Sequence, residues 1–487
     1  MEEDHAIEEK RRFRAEKKKR QAEKKALQAA ADINAPPITH NDDSLSTSHP
    51  STAKANYTLR HLKPVLKDSN SIHETTHHDG GTRSLQIMTW NVLAQCLVRR
   101  SLFPGSDCLK WKDRGPTIAQ EIVDYEPDVI CLQEVDRLGD HETVLHDAGY
   151  QLVHVIGGYE WDGKQHGLLV GWKDALLSLA GQKVIRLDEQ EFQGRIGLSR
   201  VTRNVGLVVG LRFKDNPAAG LVIGTAHLFW HARYTYERTR QTAFLAQALR
   251  DFRAEQHPHT TTTTTTSTTT QWPVFLAGDL NEQPGGPSYR LLCGAPLPEK
   301  EKLILEESTL VHKSVDQLRL KTLQDEQYTT LEGDEDRVFK DVRAATPQDG
   351  LFDMQELAQI FGPHTWLSLY GHWARHLAGE EGNRFMDRPE LKAQSSALPG
   401  ASGSCPEDGR GSGSYEPMWT NFTPLWRCTL DYIWVLSDGG SGESPVEALA
   451  LLPTHRTETL EPGLPRLGVE PSDHIPLMAQ VRFPCPP

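Results

Sequence analysis

A series of short apolar runs is the feature that most constrains how this chain can fold. The runs are rich in Val, Ile, Leu and Trp and are bounded by Gly, Pro, Asp and Asn, which is typical of buried strands. They lie at 85–89, 128–132, 167–172, 204–211, 221–225, 274–277, 430–436 and 476–483. Amphipathic stretches at 116–125 and 236–250 have the apolar spacing of helices. Strands interleaved with helices predict an α/β fold of two packed mixed β-sheets flanked by helices.

The remaining segments suggest a tail and several inserts around one large domain. Residues 1–82 are predicted to be a disordered tail, because their polar composition shows no sustained helix or strand period. The folded body is expected to span 83–484. Within it, 257–270 is almost pure threonine and is interpreted as a low-complexity surface insert. Residues 297–350 are polar and expected to be partly helical, and 371–414, rich in Gly, Ser and Pro, is predicted to be a mobile loop.

Charge is distributed unevenly along the chain. The formal net charge is −13, yet segment 10–25 holds ten Lys and Arg against two Glu, and residues 26–487 carry −16. A body this acidic does not hold nucleic acid by bulk charge. The basic segment has two interpretations: a solvated charged arm, or a nuclear-localisation or RNA-contacting segment.

The apolar and cysteine patterns exclude several classes of protein. No run approaches the roughly 20 apolar residues of a membrane span, and the first nine residues lack the apolar region of a signal peptide. We therefore expect a protein of the cytoplasm, the nucleus or both. The seven cysteines are odd in number and include no CxxC pair, which argues against a disulfide framework and a structural zinc site. We expect a monomer, and the sequence identifies no protein partner.

Polar residues stand repeatedly at the ends of the apolar runs. They are Asn91, Glu134, His227, Asp279, Asn281, Asp431, Asp473 and His474. If these ends lie at one edge of the packed sheets, they form a single cluster of carboxylates, amides and imidazoles. Carboxylate and amide oxygens without a thiolate select Mg²⁺ or Mn²⁺ over zinc, and a cation held in this way usually serves phosphate chemistry.

Each of these residues also has a structural interpretation when taken alone. Glu134 is equally suited to a cap or a salt bridge, His227 to a core contact with backbone, and Asn281 to a turn. Taken together, the residues all stand at strand ends, and this repeated placement favours a functional site. An Asp beside an Asn is placed to orient or deprotonate a water, and an imidazole held by an Asp can stay protonated beside phosphate oxygens. The sequence contains no GxSxG nucleophile elbow.

Seven strings carry a resemblance to a known family. They are MTWNVLAQ at 88–95, ICLQEVD at 130–136, KQHGLLVGWK at 164–173, GTAHLFWHARYTYERTRQ at 224–241, LAGDLNEQPGGPSY at 276–289, TNFTPLWRCTLDYIWV at 420–435 and PSDHIPL at 471–477. This set resembles the endonuclease/exonuclease/phosphatase superfamily, and within it the branch of carbon-catabolite-repressor deadenylases, nocturnin and Angel proteins. The basic-tailed form is most similar to fungal RNA exonucleases of that branch. The resemblance covers about residues 83–484 and implies a four-layer α/β sandwich.

The resemblance also implies a role for each matching residue. Glu134 would be the principal Mg²⁺ ligand, with Asn91 beside it, and Mn²⁺ would be a substitute metal. Asp279 would activate or orient the attacking water and belong to the metal site, while Asn281 and His227 would contact the scissile phosphate. Asp431 would support the metal or His474, which pairs with Asp473. Asn421 and Phe422 would lie near the substrate base, where aromatic stacking is physically reasonable.

The function that follows is a Mg²⁺-dependent 3′-to-5′ exoribonuclease that releases 5′-mononucleotides. Its expected substrate is the single-stranded 3′ end of RNA, with poly(A) or A-rich tails the leading possibility. Processing of structured RNA 3′ ends, such as ribosomal RNA precursors, remains an alternative with the same active site. A phosphatase acting on small nucleotides or RNA ends is a second alternative, because the fold does not decide the substrate. A catalytically silent RNA-binding scaffold is disfavoured, because every acid and amide that the chemistry needs is present.

Overall fold

The computed structural model describes residues 57–65, 81–158, 165–256, 271–316, 341–377, 384–396, 411–437 and 444–485. All of them belong to one compact unit, residues 55–487. The basic segment 10–25 and the threonine insert 257–270 lie outside the described residues, so their interpretations remain predictions. Among the helices that are described, none is long and apolar enough to cross a membrane.

The described strands include all eight that the apolar runs predict. In chain order they are β1 (Lys63–Pro64), β2 (Thr82–Asn91), β3 (Val129–Val135), β4 (Tyr150–Ile156), β5 (Gly167–Lys173), β6 (Leu177–Arg186), β7 (Val205–Phe213), β8 (Gly220–Ala226), β9 (Val274–Asp279), β10 (Leu310–His312), β11 (Val342–Ala344), β12 (Thr365–Ser368), β13 (Asn421–Phe422), β14 (Arg427–Cys428), β15 (Asp431–Ser437), β16 (Glu447–Leu451) and β17 (Leu477–Pro484).

Two large sheets contain most of these strands. The first has seven strands in the order β1-β16-β17-β2-β3-β5-β4, and the second has six in the order β12-β15-β9-β8-β7-β6. Both sheets are mixed, because β2 and β3 run parallel in the first, β8 and β9 run parallel in the second, and the other described pairs are antiparallel. Strands that the pattern did not predict lie at or next to sheet edges, where half-exposed residues interrupt the apolar run.

Helices cover the outer faces of the sheets. In chain order the described helices are α1 (Trp111–Tyr125), α2 (Leu138–Asp147), α3 (Thr235–Gln256), α4 (Pro287–Leu292), α5 (Glu299–Glu307), α6 (Met354–Phe361), α7 (Leu369–Trp373), α8 (Pro389–Ser396) and α9 (Thr457–Leu460). The apolar side of α1 packs on the seven-stranded sheet, and that of α3 packs on the six-stranded sheet. Helix, sheet, sheet and helix form the four layers that the resemblance implies, so the predicted fold class is confirmed.

Strand β3 shows why its sequence reads as a continuous apolar run. Val129 and Cys131 point into the core between the two sheets, whereas Ile130 and Leu132 point the other way and contact the residues of α1. Because successive side chains alternate between the faces of a strand, burial of both faces requires apolar residues at every position. The same reasoning applies to β9, all of whose residues are buried.

Two segments differ from the sequence-based expectation. Residues 57–65, which were assigned to the tail, pack on the body: β1 pairs with β16, and Val65 is buried in the core between the sheets. The short segment is hard to recognise because only two of its residues form a strand. Part of 371–414 is also ordered, since the described stretches 371–377 and 384–396 include helical turns with buried Ala374 and Phe385.

Candidate active site

The strand ends that carry polar residues meet at one edge of the sandwich. Asn91 ends β2, Glu134 is next to last in β3, and Asp279 ends β9. Asp431 starts β15, which runs antiparallel to β9, so it lies directly opposite Asp279. His474 precedes β17, which runs antiparallel to β2 and therefore begins at the same edge. The structure thus brings together the residues that the sequence places at strand ends.

Asn91 joins two carboxylates that come from different sheets. Its Nδ2 donates to Glu134 Oε1 and to Asp279 Oδ2, both at 3.0 Å. Its Oδ1 accepts from the backbone N–H of Leu93 at 3.1 Å, which fixes the orientation of the amide. The second oxygen of Glu134 accepts from the N–H of Ala94 at 2.9 Å. In this orientation Asn91 aligns the two carboxylates, and its oxygen is occupied by the backbone.

Two imidazoles lie near the same carboxylate oxygen of Asp279. Nε2 of His227 lies 3.6 Å from Asp279 Oδ2, and Nε2 of His474 lies 3.7 Å from the same atom, so neither bonds it directly. Nδ1 of His474 bonds Asp431 Oδ2 at 2.8 Å. Nδ1 of His227 lies 3.7 Å from Glu134 Oε1. Asp431 therefore orients His474 so that its other ring nitrogen faces the cluster.

Burial and neighbouring charges shift the pKa values of this cluster in opposite directions. Burial, and next the charge of Asp431, raise the pKa of Asp279 to about 7. Burial also raises the pKa of Glu134, but His227, His166 and the bond from Asn91 outweigh it, and the net shift is downward. For His474 burial lowers the pKa, whereas Asp431 and Asp279 raise it well above its usual value. The cluster thus combines a crowded carboxylate pair with an imidazole that holds its proton.

The donor set fits a hard divalent cation. The side-chain ligand atoms of Asp279, Asp431 and His474 lie within 4.8 Å of one another. Asp431 Oδ1 is buried and has no hydrogen-bond partner among the described residues, which is costly unless a positive group satisfies it. Cys428 is not among these three ligands, and burial raises the pKa of its thiol to about 12. His474 Nδ1 is already bonded to Asp431, whereas each carboxylate oxygen of Glu134 and Asp279 keeps a second lone pair that a cation could use.

The backbone is strained where two of these residues sit. Glu134 has φ of 60° and Asn281 has φ of 51°, in the left-handed region that side chains other than glycine avoid. At Glu134 the pairing of β3 with β5 also shifts register, which is a β-bulge. Such strain costs about 1–3 kcal/mol per residue and concentrates at functional sites. The bulge turns the Glu134 carboxylate toward Asn91 instead of toward a sheet face.

The remaining predicted residues lie around this cluster. The backbone N–H of Asn281 donates to Asp279 Oδ1 at 2.9 Å, while its Nδ2 donates to the carbonyl of Leu228 at 3.0 Å. Asn421 lies beside the His474 backbone and donates from Nδ2 to Asp473 Oδ2 at 3.5 Å. Asp473 is half-buried and contacts Asn421. These contacts place Asn421 next to the cluster, and its contact with a substrate base stays a prediction.

Phe422 does not fit its predicted place near a substrate base. Its side chain is 0% exposed and packs in a small core with Trp419. The guanidinium of Arg427 covers the ring face, with its carbon 4.6 Å from the ring centroid. The ring therefore has no free face on which a base could stack, and this prediction is corrected. An aromatic residue in a strand of a buried hairpin is ambiguous between core and ligand contact.

Two further residues belong to this region but were not singled out from the sequence. Trp426 lies in the turn that joins β13 to β14 and is 43% exposed. His166 immediately precedes β5 and has its ring centroid 6.5 Å from that of His227. His166 also stands at a strand end, so the criterion that identified Glu134 applied to it as well. A small, shallow cavity of about 20 Å³ is lined by His166 and His227 together with Leu168 and Val205.

Known proteins with a similar sequence or fold are nucleases and phosphatases. The model of the Endonuclease/Exonuclease/phosphatase family matches residues 88–474. "Probable RNA exonuclease C9B6.11c" of Schizosaccharomyces pombe is 30% identical over 421 residues, which cover 82% of this chain and 76% of that relative. "RNA exonuclease NGL2" of Saccharomyces cerevisiae is 33% identical over 238 residues, or 47% of this chain and 45% of the relative. A crystal structure of ANGEL2, a 2′,3′-cyclic phosphatase, has a TM-score of 0.54 at 18% identity and covers 88% of this chain and 99% of that chain.

A four-layer sandwich with carboxylates, an amide and two imidazoles at one edge defines a hydrolase of the nuclease and phosphatase type. This chain belongs to the Endonuclease/Exonuclease/phosphatase family. Its matches also include a Ccr4 exoribonuclease subunit, a nocturnin and an angel homologue, so the branch that the sequence motifs indicate is confirmed.

Proposed function

We propose that this protein is a Mg²⁺-dependent 3′-to-5′ exoribonuclease that releases 5′-mononucleotides from single-stranded RNA 3′ ends. The observation that carries the proposal is the Asn91 amide, which bonds Glu134 of one sheet and Asp279 of the other beside two imidazoles. The names of the fungal relatives support RNA as the substrate class. Poly(A) or A-rich tails are the substrate we propose to test first, in line with the Ccr4 exoribonuclease subunit among the matches.

In this proposal Glu134 and Asp279 hold the cation and Asp431 supplies a supporting charge. A bound Mg²⁺ would neutralise charge on the scissile phosphate and lower the pKa of a water. Asp279 would orient the attacking water, since its two oxygens are already aligned by Asn91 and by the N–H of Asn281. The 3′-oxygen of the penultimate ribose leaves in line with the attack, and it takes up a proton in place of the one that the attacking water gives up.

The imidazoles would contact the phosphate group. His474 donates one ring N–H to Asp431, so its other ring N–H is directed toward the position beside Asp279. His227 places its Nε2 3.6 Å from the same carboxylate oxygen of Asp279. Two donors beside one carboxylate suit a group whose negative charge grows during the reaction. Asn281 can join them if its amide leaves the carbonyl of Leu228.

The base of the 3′-terminal nucleotide would lie toward the β13–β14 turn. Asn421 lies in β13, directly before this turn, and bonds Asp473. The exposed Trp426 in the turn offers the free aromatic face that Phe422 lacks. Stacking of a base on an aromatic side chain contributes about 1–3 kcal/mol and tolerates any sequence. A preference for adenine would then come from polar contacts at the base edge.

The alternative substrates share this chemistry and differ in their products. A 2′,3′-cyclic phosphatase is the activity named for ANGEL2, and a phosphatase of RNA ends needs the same cation and imidazoles. A processing enzyme for structured RNA would use the same site with a different 3′ end. Product identity therefore distinguishes them.

The test is a time course with 5′-labelled RNA that ends in A20, C20, a hairpin or a 2′,3′-cyclic phosphate, with Mg²⁺ or with EDTA. A Mg²⁺-dependent ladder and released nucleoside monophosphate are the expected result. Shortening of A20 alone would support deadenylation, and equal shortening of A20 and C20 would remove the base preference. Removal of the terminal phosphate without shortening would refute the exonuclease and favour the phosphatase. Glu134→Gln is the inactive control.

A further inference from the structure

Residues 57–65, here called the N-terminal strap, lie against the segment that carries His474. That segment, residues 466–476, is called the His474 loop. The N–H of Thr58 donates to the carbonyl of Val469 at 3.2 Å, and its Oγ1 donates to the carbonyl of Gly468 at 2.7 Å. Tyr57 forms a parallel bridge with Val469. The strap therefore adds an extended segment alongside the loop.

Arg60 of the strap connects both sides of the His474 loop. Its side chain is 7% exposed, and Nη2 donates to Glu470 Oε1 at 3.1 Å and to the carbonyl of Pro476 at 3.3 Å. Nη1 donates to the carbonyl of Pro453 at 2.9 Å. A planar guanidinium presents several donors in a fixed fork. Arg60 can therefore hold Glu470 inside the loop, Pro476 at its end and Pro453 in the segment before it.

The buried acids around Arg60 depend on its positive charge. Glu470 and Glu121 are both fully buried acids, and Glu470 also bonds Nε2 of His455 at 2.6 Å. Burial, followed by the charge of Glu470, raises the pKa of Glu121, whereas Arg60 lowers it. Removing one partner of a buried ion pair leaves an uncompensated charge, which is strongly destabilising locally. Without Arg60, the buried carboxylate of Glu470 would lose its guanidinium partner and keep the imidazole of His455.

Glu470 is connected to the catalytic cluster through a few residues and their hydrogen bonds. Glu470 stands four residues before His474, and Ser472 between them donates from Oγ to the carbonyl of Asn91 at 2.7 Å. On the other side, Trp90 donates from its indole nitrogen to the carbonyl of His474 at 2.9 Å. The loop that Arg60 holds is thus bonded to β2 directly beside Asn91.

We propose that Arg60 is a positioning residue of the active site, through which the N-terminal strap holds the His474 loop so that His474 faces Asp279. The inference deepens the proposed nuclease function and rests on it for its kinetic readout. It assigns a role to a segment that the sequence places in the tail. The strap touches none of the proposed metal ligands in the contacts described, so its effect would pass through the loop.

The test compares Arg60→Met with Arg83→Met in the full-length chain. Arg83 is a matched control, because its guanidinium is also largely buried, packs on Phe213 and pairs with Asp215, away from the His474 loop. For Arg60→Met we expect kcat on RNA to fall about 10- to 100-fold with KM changed by no more than about twofold, as for a misplaced catalytic group. Arg60→Lys, which keeps the charge but loses the fork, should be intermediate.

Hydrogen exchange gives a readout that does not depend on catalysis. Amides of residues 466–476 should exchange faster in Arg60→Met and be unchanged in Arg83→Met. The double variant Arg60→Met/Glu470→Gln removes the unpaired charge, and it should regain melting temperature while kcat stays low. The proposal is overturned if Arg60→Met matches Arg83→Met in kcat and exchange, or if the double variant regains full kcat. An inactive wild type would refute the nuclease function instead, and the exchange comparison would still decide the positioning role.

Discussion

Replacing Asp279 with Asn should make the metal-free protein more stable while it lowers turnover about 10²- to 10³-fold. Asp279 is 1% exposed and lies opposite Asp431, and burial followed by that charge raises its pKa from 3.8 to about 7. The wild type therefore loses stability as the pH rises from about 4 to about 7, and the loss is constant above that. At about 1.4 kcal/mol per pKa unit, the cost at pH 8 is about 4 kcal/mol.

Removing this charge stabilises the Asp279→Asn variant, but lost hydrogen bonds offset part of the gain in free energy of unfolding. The two oxygens of Asp279 accept from Asn91 and from the N–H of Asn281, and an amide can keep only one of these acceptors. An unsatisfied buried donor costs about 1–3 kcal/mol. The net gain for Asp279→Asn in EDTA at pH 8 is therefore about 1–3 kcal/mol, and it should shrink as the pH falls toward 4.

Thermal melts from pH 4 to pH 8, with EDTA or with Mg²⁺, measure this effect. Mg²⁺ at 100 times its Kd should stabilise the wild type by about 2.7 kcal/mol and the variant much less, so the order of melting temperatures converges or reverses. Turnover of the variant should fall about 10²- to 10³-fold. Asp174→Asn, in an exposed pair with Lys214, is the control and should change neither quantity. A variant that is less stable than wild type in EDTA at pH 8, or that responds equally to Mg²⁺, would contradict the reasoning.

Three other predictions address the imidazole, the base and the tail. Asp431→Asn should lower kcat about 10²-fold with little change in KM in steady-state assays, because His474 loses the carboxylate that orients it; a KM change alone would argue against this role. Trp426→Ala should weaken binding of labelled RNA in anisotropy titrations by about 1–3 kcal/mol, whereas Leu425→Ala in the same turn should have little effect; equal effects would exclude stacking. Deletion of residues 1–56, which leaves the strap intact, should raise the salt-sensitive KM for long RNA but not for short oligonucleotides; equal losses on both would count against a tethering arm.

The sequence predicts the centre of this molecule better than its periphery. Strands such as β3 and β9 are buried on both faces, so their apolar runs are continuous and their ends are visible as Glu134 and Asp279. Edge strands such as β6 consist mostly of exposed or half-exposed residues and give no comparable signal. The residues at the central strand ends were therefore located correctly, although their proposed roles remain predictions.

Contacts between distant segments could not be predicted in the same way. Phe422 and Trp426 are both aromatic and lie four positions apart, and only the packing of Arg427 over Phe422 shows which ring is available. The strap posed a similar difficulty, because the partners of Arg60 lie about 400 residues away in the chain. A pattern based on local periodicity contains no information about such pairs.

The Asn91 amide bonds one carboxylate from each sheet, and this makes the proposed metal site a product of sheet docking. A folding intermediate with only the seven-stranded sheet would have Glu134 without Asp279. An intermediate with only the six-stranded sheet would have Asp279 without Glu134. Neither half could bind the cation with native affinity. Acquisition of metal affinity during refolding would therefore mark the step at which the two sheets come together, and the cation would serve as a reporter of assembly as well as a participant in hydrolysis.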